Sequence, residues 1–457
     1  MLKKNDTHFM EITDIGGKAE GIGRVDGFVV FADNCLPGDV CEIKILKVNK
    51  NYAYGKVIKV EKASPHRVPS PCPVSDRCGG CALMHMDYAE QLKLKEKKVY
   101  DSLRRLGGFA APNILTIEPF GLTKAYRNKA SIPVREENDE IKTGYYAKNS
   151  HKVVENCNCY IQDVSQSKVI KAVYDYMAFC SIKAYNEEKN TGLIRHIVVR
   201  SAFGTGQIMV IVVLNAKYGK LPKNHDYLIE KLLQINGMTS ICFNYNNEAT
   251  NVIMGRKNLF VWGKEHITDR LGNFEVKISP HSFYQVNPVQ ALKMYECALD
   301  FAAVREGDTV IDAYCGIGTI SLFFAERAIK VYGIESVAEA INDANQNAKA
   351  NATENLEFVC GKSEEVIYDF IDRGINADVI IFDPPRKGCD VKFLKAVVKI
   401  KPRAVVYISC NPDTLARDAA VLAGFGYELK VAKPFDMFCH TLHVETVALM
   451  EYKGYAE

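Results

Sequence analysis

One stretch limits what the chain can fold into more than any other. Residues 377–412 read A-D-V-I-I-F-D-P-P-R-K-G, then a helical pattern, then A-V-V-Y-I-S-C-N-P. The runs Val379 to Phe382 and Ala404 to Ile408 are short, apolar and β-branched, and turn residues end each of them. That is the pattern of buried strands. The first run delivers Asp383 to a loop and the second delivers Cys410. In open α/β sheets, ligands bind just outside the carboxyl ends of the strands. An acid and a thiol therefore arrive where chemistry is expected.

The alternation of strand and helix patterns begins near Pro280 and marks residues 281–457 as an α/β segment with a Rossmann-like doubly wound sheet. T-V-I-D-A-Y-C-G-I-G-T reads as strand, Gly-rich turn and helix. K-V-Y-G-I-E-S ends a second strand at Glu335, 23 residues after Asp312. That layout places an acid for ribose hydroxyls. The glycine pattern is only G-I-G, which disfavours a pyrophosphate-binding dehydrogenase. S-adenosylmethionine has no pyrophosphate. Its adenosyl part needs a glycine-permitted backbone approach and a carboxylate.

Residues 1–63 read as short β segments separated by turn signals such as L-P-G-D at Leu36 to Asp39. A small β-barrel of the OB type fits them. Its strands carry Lys44, Lys47, Lys50, Tyr52, Tyr54, Lys56 and Lys59. Such a basic, aromatic face suits single-stranded nucleic acid through phosphate attraction and base stacking. It also reads as an ordinary solvated face. Residues 64–280 read as an α+β middle domain. Its opening, S-P-H-R-V-P-S-P-C-P-V-S-D-R-C-G-G-C, is a proline-rich loop holding Cys72, Cys78 and Cys81. Three soft ligands so close together imply a metal or cluster, and the fourth must come from elsewhere. Cys157 and Cys159 are the nearest later thiols. Zinc and an iron–sulfur cluster both fit thiolates. A helix over 84–106 carries Lys93, Lys95, Lys97, Lys98, Arg104 and Arg105, either a solvated face or an RNA contact. Tyr126-Arg127-Asn128-Lys129 is a further candidate phosphate contact.

Composition narrows the classes. The 47% apolar and 25% charged fractions are those of an ordinary globular protein, and the net charge of +3 does not identify a nucleic-acid binder. No apolar run reaches the ~18 residues of a membrane helix and no signal-peptide pattern opens the chain, which points to the cytoplasm and away from membranes. Fifteen cysteines then suggest a reducing compartment.

The late motifs meet in one chemistry. The C5 carbon of uracil is too weak a nucleophile to attack a sulfonium methyl unaided. A thiolate added at C6 makes C5 nucleophilic. After methyl transfer, a base must remove the C5 proton so that the thiolate can leave. Cys410 in S-C-N-P and Glu445 in H-V-E-T-V supply such a pair.

The chain resembles the RNA uracil-5-methyltransferases, in particular the 23S ribosomal-RNA type with an N-terminal TRAM domain and a four-cysteine iron–sulfur cluster. The resemblance runs over essentially the whole chain. It rests on C-P-x4-C-G-G-C, F-Y-Q-V-N, D-x-Y-C-G-x-G-T, G-I-E, D-P-P-R-K-G, S-C-N-P and H-x-E-T-V. It implies Cys410 as nucleophile and Glu445 as proton acceptor. Gln285, Tyr314, Glu335 and Asp383 would contact S-adenosylmethionine. Cys72, Cys78, Cys81 and Cys159 would hold a [4Fe–4S] cluster, Cys159 being preferred to Cys157 because C-Y-I-Q continues the family pattern. Phe283 would stack on RNA bases, with Arg127 a second RNA contact. The helix after Cys81 would pack on the catalytic segment. The expected partner is a single-stranded uridine of 23S ribosomal RNA, met by a monomer. The same reaction on tRNA is one alternative. A non-catalytic RNA-binding ribosome-assembly factor is another. A cytosine-5 enzyme would place a Cys beside the proline pair, where Arg386 stands, and an adenine-N6 enzyme would place an aromatic there.

Overall fold

Alternating burial closes the N-terminal strands into a barrel. Along Val40–Val48, Cys41, Ile43 and Ile45 point inward while their neighbours face out, the period of two that a half-buried strand requires. The strands Thr7–Ile15, Gly21–Val25, Phe28–Ala32, Tyr52–Lys62 and Val40–Val48 pair in that order around a closed barrel. Met10, Ile12, Val30, Ile43 and Ile45 form its core. On its surface Phe31, Tyr52 and Tyr54 cluster with ring centroids 5.5–5.9 Å apart, and both tyrosines are exposed.

The computed structural model describes residues 2–137 and 140–454. It divides into two compact units. The first comprises Met1–Lys95, Tyr145–Val154 and Phe438–His443; the second comprises Glu96–Gly144, Glu155–Met437 and Val444–Glu457. The helix expected over 84–106 spans Tyr88–Arg105, and its residues from Glu96 onward belong to the second unit. There Ser102 Oγ donates to Asp413 Oδ1 at 2.6 Å. The lysine run on this helix is not uniformly solvated. Lys95 is buried, and in the first unit its Nζ donates to the Phe438 carbonyl at 3.0 Å.

Two large sheets and a two-stranded one, Ile267–Leu271 with Phe274–Ile278, build the second unit. Within this unit one large sheet includes, in order, Lys257–Gly263, Met238–Tyr245, Ile208–Leu214, Ile194–Ser201 and Lys129–Glu137. Ile194–Ser201 and Ile208–Leu214 are buried at every position, so their apolar runs are continuous rather than alternating. The other large sheet runs Leu356–Cys360, Lys330–Glu335, Thr309–Ala313, Val379–Phe382, Ala404–Ser409, Glu445–Tyr452 and Tyr427–Phe435. Its first five strands are parallel. Glu445–Tyr452 is antiparallel to both its neighbours. The chain order reverses between Thr309–Ala313 and Val379–Phe382, and beyond the carboxyl ends of strands at such a reversal is where open α/β sheets take their ligands. No helix among the described residues is long and apolar enough to cross a membrane.

Candidate active site

The rim of the second sheet is built from strand ends. Thr309–Ala313 delivers Asp312 and then turns through Tyr314, whose φ of 66° is left-handed. A non-glycine residue held there stores strain, which clusters at ligand sites. Gly318 follows with φ 79° and starts the helix Thr319–Ala325. A Cβ at Gly318 would meet the Phe358 ring at 2.8 Å, so only glycine lets this turn pack. Lys330–Glu335 ends on Glu335, whose carboxylate accepts from the backbone N–H of Gly316 at 3.3 Å and of Val337 at 2.9 Å. A Cβ at Gly316 would face open space. The turn thus leaves room beside the Glu335 carboxylate.

Cys410 follows Ala404–Ser409 on a tight strand-to-helix turn. Ser409 Oγ accepts from Asn411 N–H at 3.1 Å. The Asn411 side chain caps Pro412–Ala423 by accepting from Asp413 N–H, with Pro412 in the first helical turn, where its missing N–H costs nothing. Asn411 Nδ2 also donates to the Arg386 carbonyl at 3.1 Å, which ties this turn to the D-P-P-R loop. Register places Glu445 opposite. Ser409 pairs with Thr446 and Phe435 with Glu445. Because the last strand runs antiparallel, its first residue reaches the rim where its neighbour ends. Gln285 Nε2 approaches Asp383 Oδ2 at 3.5 Å.

Carboxylates dominate the electrostatics. Burial pushes the Asp383 and Asp312 carboxyls up to about 7. Asp312 is raised further by the charges of Asp383 and Glu335, against a hydrogen bond from Ser321 Oγ at 2.5 Å. Its Oδ1 is buried without a hydrogen-bond partner among the described residues. Burial, and then the Asp383 charge, hold Glu445 well above the usual carboxylate range, while Arg386 acts the other way. Burial pushes the Cys410 thiol up to about 11; the Glu445 and Asp383 charges add to this and Arg386 opposes it. A pocket with this excess of acid over cation suits a positively charged ligand. S-adenosylmethionine, with its sulfonium and ammonium groups, fits that donor set.

The profile described as tRNA (Uracil-5-)-methyltransferase matches residues 87–453, and the TRAM domain matches residues 10–58. The chain belongs to the tRNA (uracil-5-)-methyltransferase family. It is accordingly an S-adenosylmethionine-dependent RNA methyltransferase with an N-terminal TRAM barrel. An RNA methyltransferase of Clostridium tetani, named as uncharacterized, is 44% identical over 456 residues, covering 99% of this chain and 98% of its own length. One of Halalkalibacterium halodurans, similarly named, is 44% identical over 457 residues, with 99% and 98% covered. Among solved structures, the Pyrococcus abyssi tRNA (uracil-54, C5)-methyltransferase in complex with S-adenosyl-L-homocysteine is similar with a TM-score of 0.76 and 29% identity, covering 96% of this chain and all of that one.

Within this family fold, Cys410, Glu445, Asp383 and Gln285 lie around one rim, with Glu335 on the glycine turn. The Tyr314 ring packs edge-on against Phe393 at 5.7 Å, and burial raises its hydroxyl, which lies near Cys389 and Ser363. Phe283 is exposed. Two contributors are not marked as such by the sequence: Asp312 only opens a spacing, and Arg386 is only a non-aromatic residue after the prolines.

The cysteines stand differently. Cys72 and Cys81 are buried and Cys78 partly so, all in the first unit. Cys78 is raised by burial and by the neighbouring Cys72 thiol. Cys157 and Cys159 belong to the second unit, and Cys157 Sγ contacts Thr143 Oγ1 at 3.7 Å. The thiols suit a thiophilic metal chemically. Among the described residues, however, no three His, Cys, Asp or Glu side chains are gathered as a metal site requires.

Proposed function

We propose that the protein forms 5-methyluridine in 23S ribosomal RNA, with Cys410 as nucleophile and Glu445 as proton acceptor. The observation that carries this reading is the register that sets the start of the last strand beside the end of Ala404–Ser409. Cys410 gives its proton to solvent and its thiolate adds to uracil C6, which makes C5 nucleophilic. Bound S-adenosylmethionine supplies an electrophilic methyl group. The Glu445 carboxylate then takes the C5 proton, and the thiolate leaves as the ring regains its double bond. A carboxylate whose proton affinity is raised by burial is a stronger base for that step. Arg386 steadies negative charge on both groups. Glu335 would take the ribose hydroxyls of S-adenosylmethionine, and Gln285, Asp383 and Tyr314 would make its other contacts. Phe283, exposed on its loop, offers a stacking face for a splayed RNA base.

Cys410→Ala should bind S-adenosylmethionine with unchanged affinity and transfer no methyl group. Measurable turnover by that variant removes Cys410 as nucleophile. tRNA is the second substrate reading, because the similar P. abyssi enzyme acts on tRNA uracil-54. Mapping 5-methyluridine in ribosomal RNA and tRNA from cells with and without the protein separates the two. Cys72, Cys78, Cys81 and Cys159 are proposed to take a [4Fe–4S] cluster that staples an otherwise Gly- and Pro-rich loop. Iron and sulfide analysis of anaerobically purified protein tests this. Metal-free protein that folds and methylates RNA at the same rate would refute it.

A further inference from the structure

Away from the rim carboxylates, the second unit gathers a group of cations that, among the described residues, outnumber the acids acting on them. Lys129 opens the strand Lys129–Glu137 and lies in register directly across from Arg200. Like charges opposed on antiparallel strands are destabilising. Arg200 is buried. Its Nη2 donates to the carbonyls of Pro280 at 3.0 Å and Ser282 at 2.5 Å, and its Nε is buried with no partner among the described residues. Among the described residues, the side chains of Lys129, Arg127 and His281 have no hydrogen-bond or ion-pair partner. Burial, then Arg200 and Arg127, hold the Lys129 amine down to about 7. Burial, Arg200 and Lys129 lower His281. The acids acting on the group are Asp343 on Arg200 and Glu339 on His281. Asp343 is already engaged by the hydroxyls of Ser279 and Ser282 at 2.8 and 2.7 Å.

The cations are fastened to the loop that serves the candidate active site. Asn128 N–H donates to the Val286 carbonyl at 2.9 Å, and Asn128 Nδ2 to the Gln285 carbonyl at 3.0 Å. The same loop carries exposed Phe283 and the Gln285 side chain that approaches Asp383. A fold that keeps opposed, unpaired cations beside a reactive rim is arranged for an incoming anion. In a protein acting on RNA, that anion is a backbone phosphate.

We propose that Arg127, Lys129, Arg200 and His281 form a phosphate subsite that grips the RNA backbone next to the target uridine, with Lys129 as the group the phosphate meets. The proposal rests on the RNA-uridine reading of the site above. Arg200, held by two carbonyls, is a fixed wall of positive potential. Lys129 and His281 are the adaptable contacts, and Phe283 stacks while they hold the strand.

The test uses the full-length protein and whichever unmodified transcript, 23S ribosomal RNA or tRNA, the wild type labels. Lys129→Gln should raise the KM for that RNA on the order of tenfold, the loss of one charge-assisted hydrogen bond, and lower kcat much less. The slope of log KM against log salt should shrink by about 0.7, one phosphate contact on a single strand. Lys129→Arg should restore both, and the Kd for S-adenosylmethionine should not move. If Lys129→Gln melts early, His281→Gln carries the same readings from an exposed position. An unchanged RNA KM and salt slope in a folded variant overturns the proposal, as does a loss confined to cofactor binding. Wild-type protein that labels no RNA would instead overturn the uridine reading itself.

Discussion

Glu445→Gln tests whether one carboxylate both sets the charge of the thiol and ends the reaction. Burial raises the Cys410 thiol to about 11, and Glu445 is the first of the charges that add to it. At pH 8 such a thiol is thiolate in about one molecule per thousand, a factor of ten for each of about three units. Glutamine keeps the shape of the side chain and removes its charge. The alkylation midpoint of Cys410 should therefore fall, and at fixed pH the thiolate population should rise about tenfold per unit of that fall. The assay is pulse labelling with iodoacetamide from neutral to alkaline pH, read on the Cys410 peptide by mass spectrometry. With RNA and S-adenosylmethionine present, the same variant should collect a covalent protein–RNA adduct on a denaturing gel, because the C5 proton has no acceptor. Steady-state turnover should fall by about 10²–10⁴, the usual worth of a positioned base. A midpoint that stays or rises refutes the electrostatic argument. Near-normal turnover without adduct refutes the assignment of the base.

Two further outcomes are expected. Asp312 is held near 7 by burial against an ordinary value of 3.8, so the native state keeps a proton that the unfolded state releases between these values. Stability is therefore lost as pH rises through that window. Asp312→Asn, neutral throughout, should gain on wild type from about pH 4 to about pH 7 and then level off, by at most about 4 kcal/mol; a difference that does not vary with pH in denaturant titrations refutes this. Gly318→Ala places a Cβ 2.8 Å from the Phe358 ring and 3.2 Å from the Ala344 Cβ at φ 79°. It should cost at least about 1–2 kcal/mol from the left-handed backbone alone and weaken cofactor binding, read from melting curves with and without S-adenosylmethionine.

What the sequence showed and what it hid divide along a physical line. The strands Val379–Phe382 and Ala404–Ser409 are buried throughout, and a run of β-branched residues reports that directly. The glycine turn and the acid ending the next strand were legible for the same reason, since local backbone needs leave local marks. Strand direction and register leave none. Nothing in H-V-E-T-V says that its strand runs against its neighbours, yet that reversal alone brings Glu445 to the rim beside Cys410. Lys129 and Arg200 are likewise paired only by register, so the Y-R-N-K stretch read as four weak candidates rather than half of a cationic pocket. Charge states were hidden too. Asp312 and Asp383 read as ordinary acids, but burial lifts both toward neutrality, and the charges of Asp383 and Glu335 raise Asp312 further. The cysteines show the converse. Their spacing announces a set, but spacing constrains sequence distance and not where thiols point: Cys72, Cys78 and Cys81 belong to the first unit and Cys159 to the second. Residues whose role depends on a neighbour distant in sequence are thus the ones for which substitution, more than pattern, carries the evidence. Substitutions at Cys410 and Glu445 separate the proposed chemistry from a fold that merely resembles it, and the substitution at Lys129 does the same for the RNA contact.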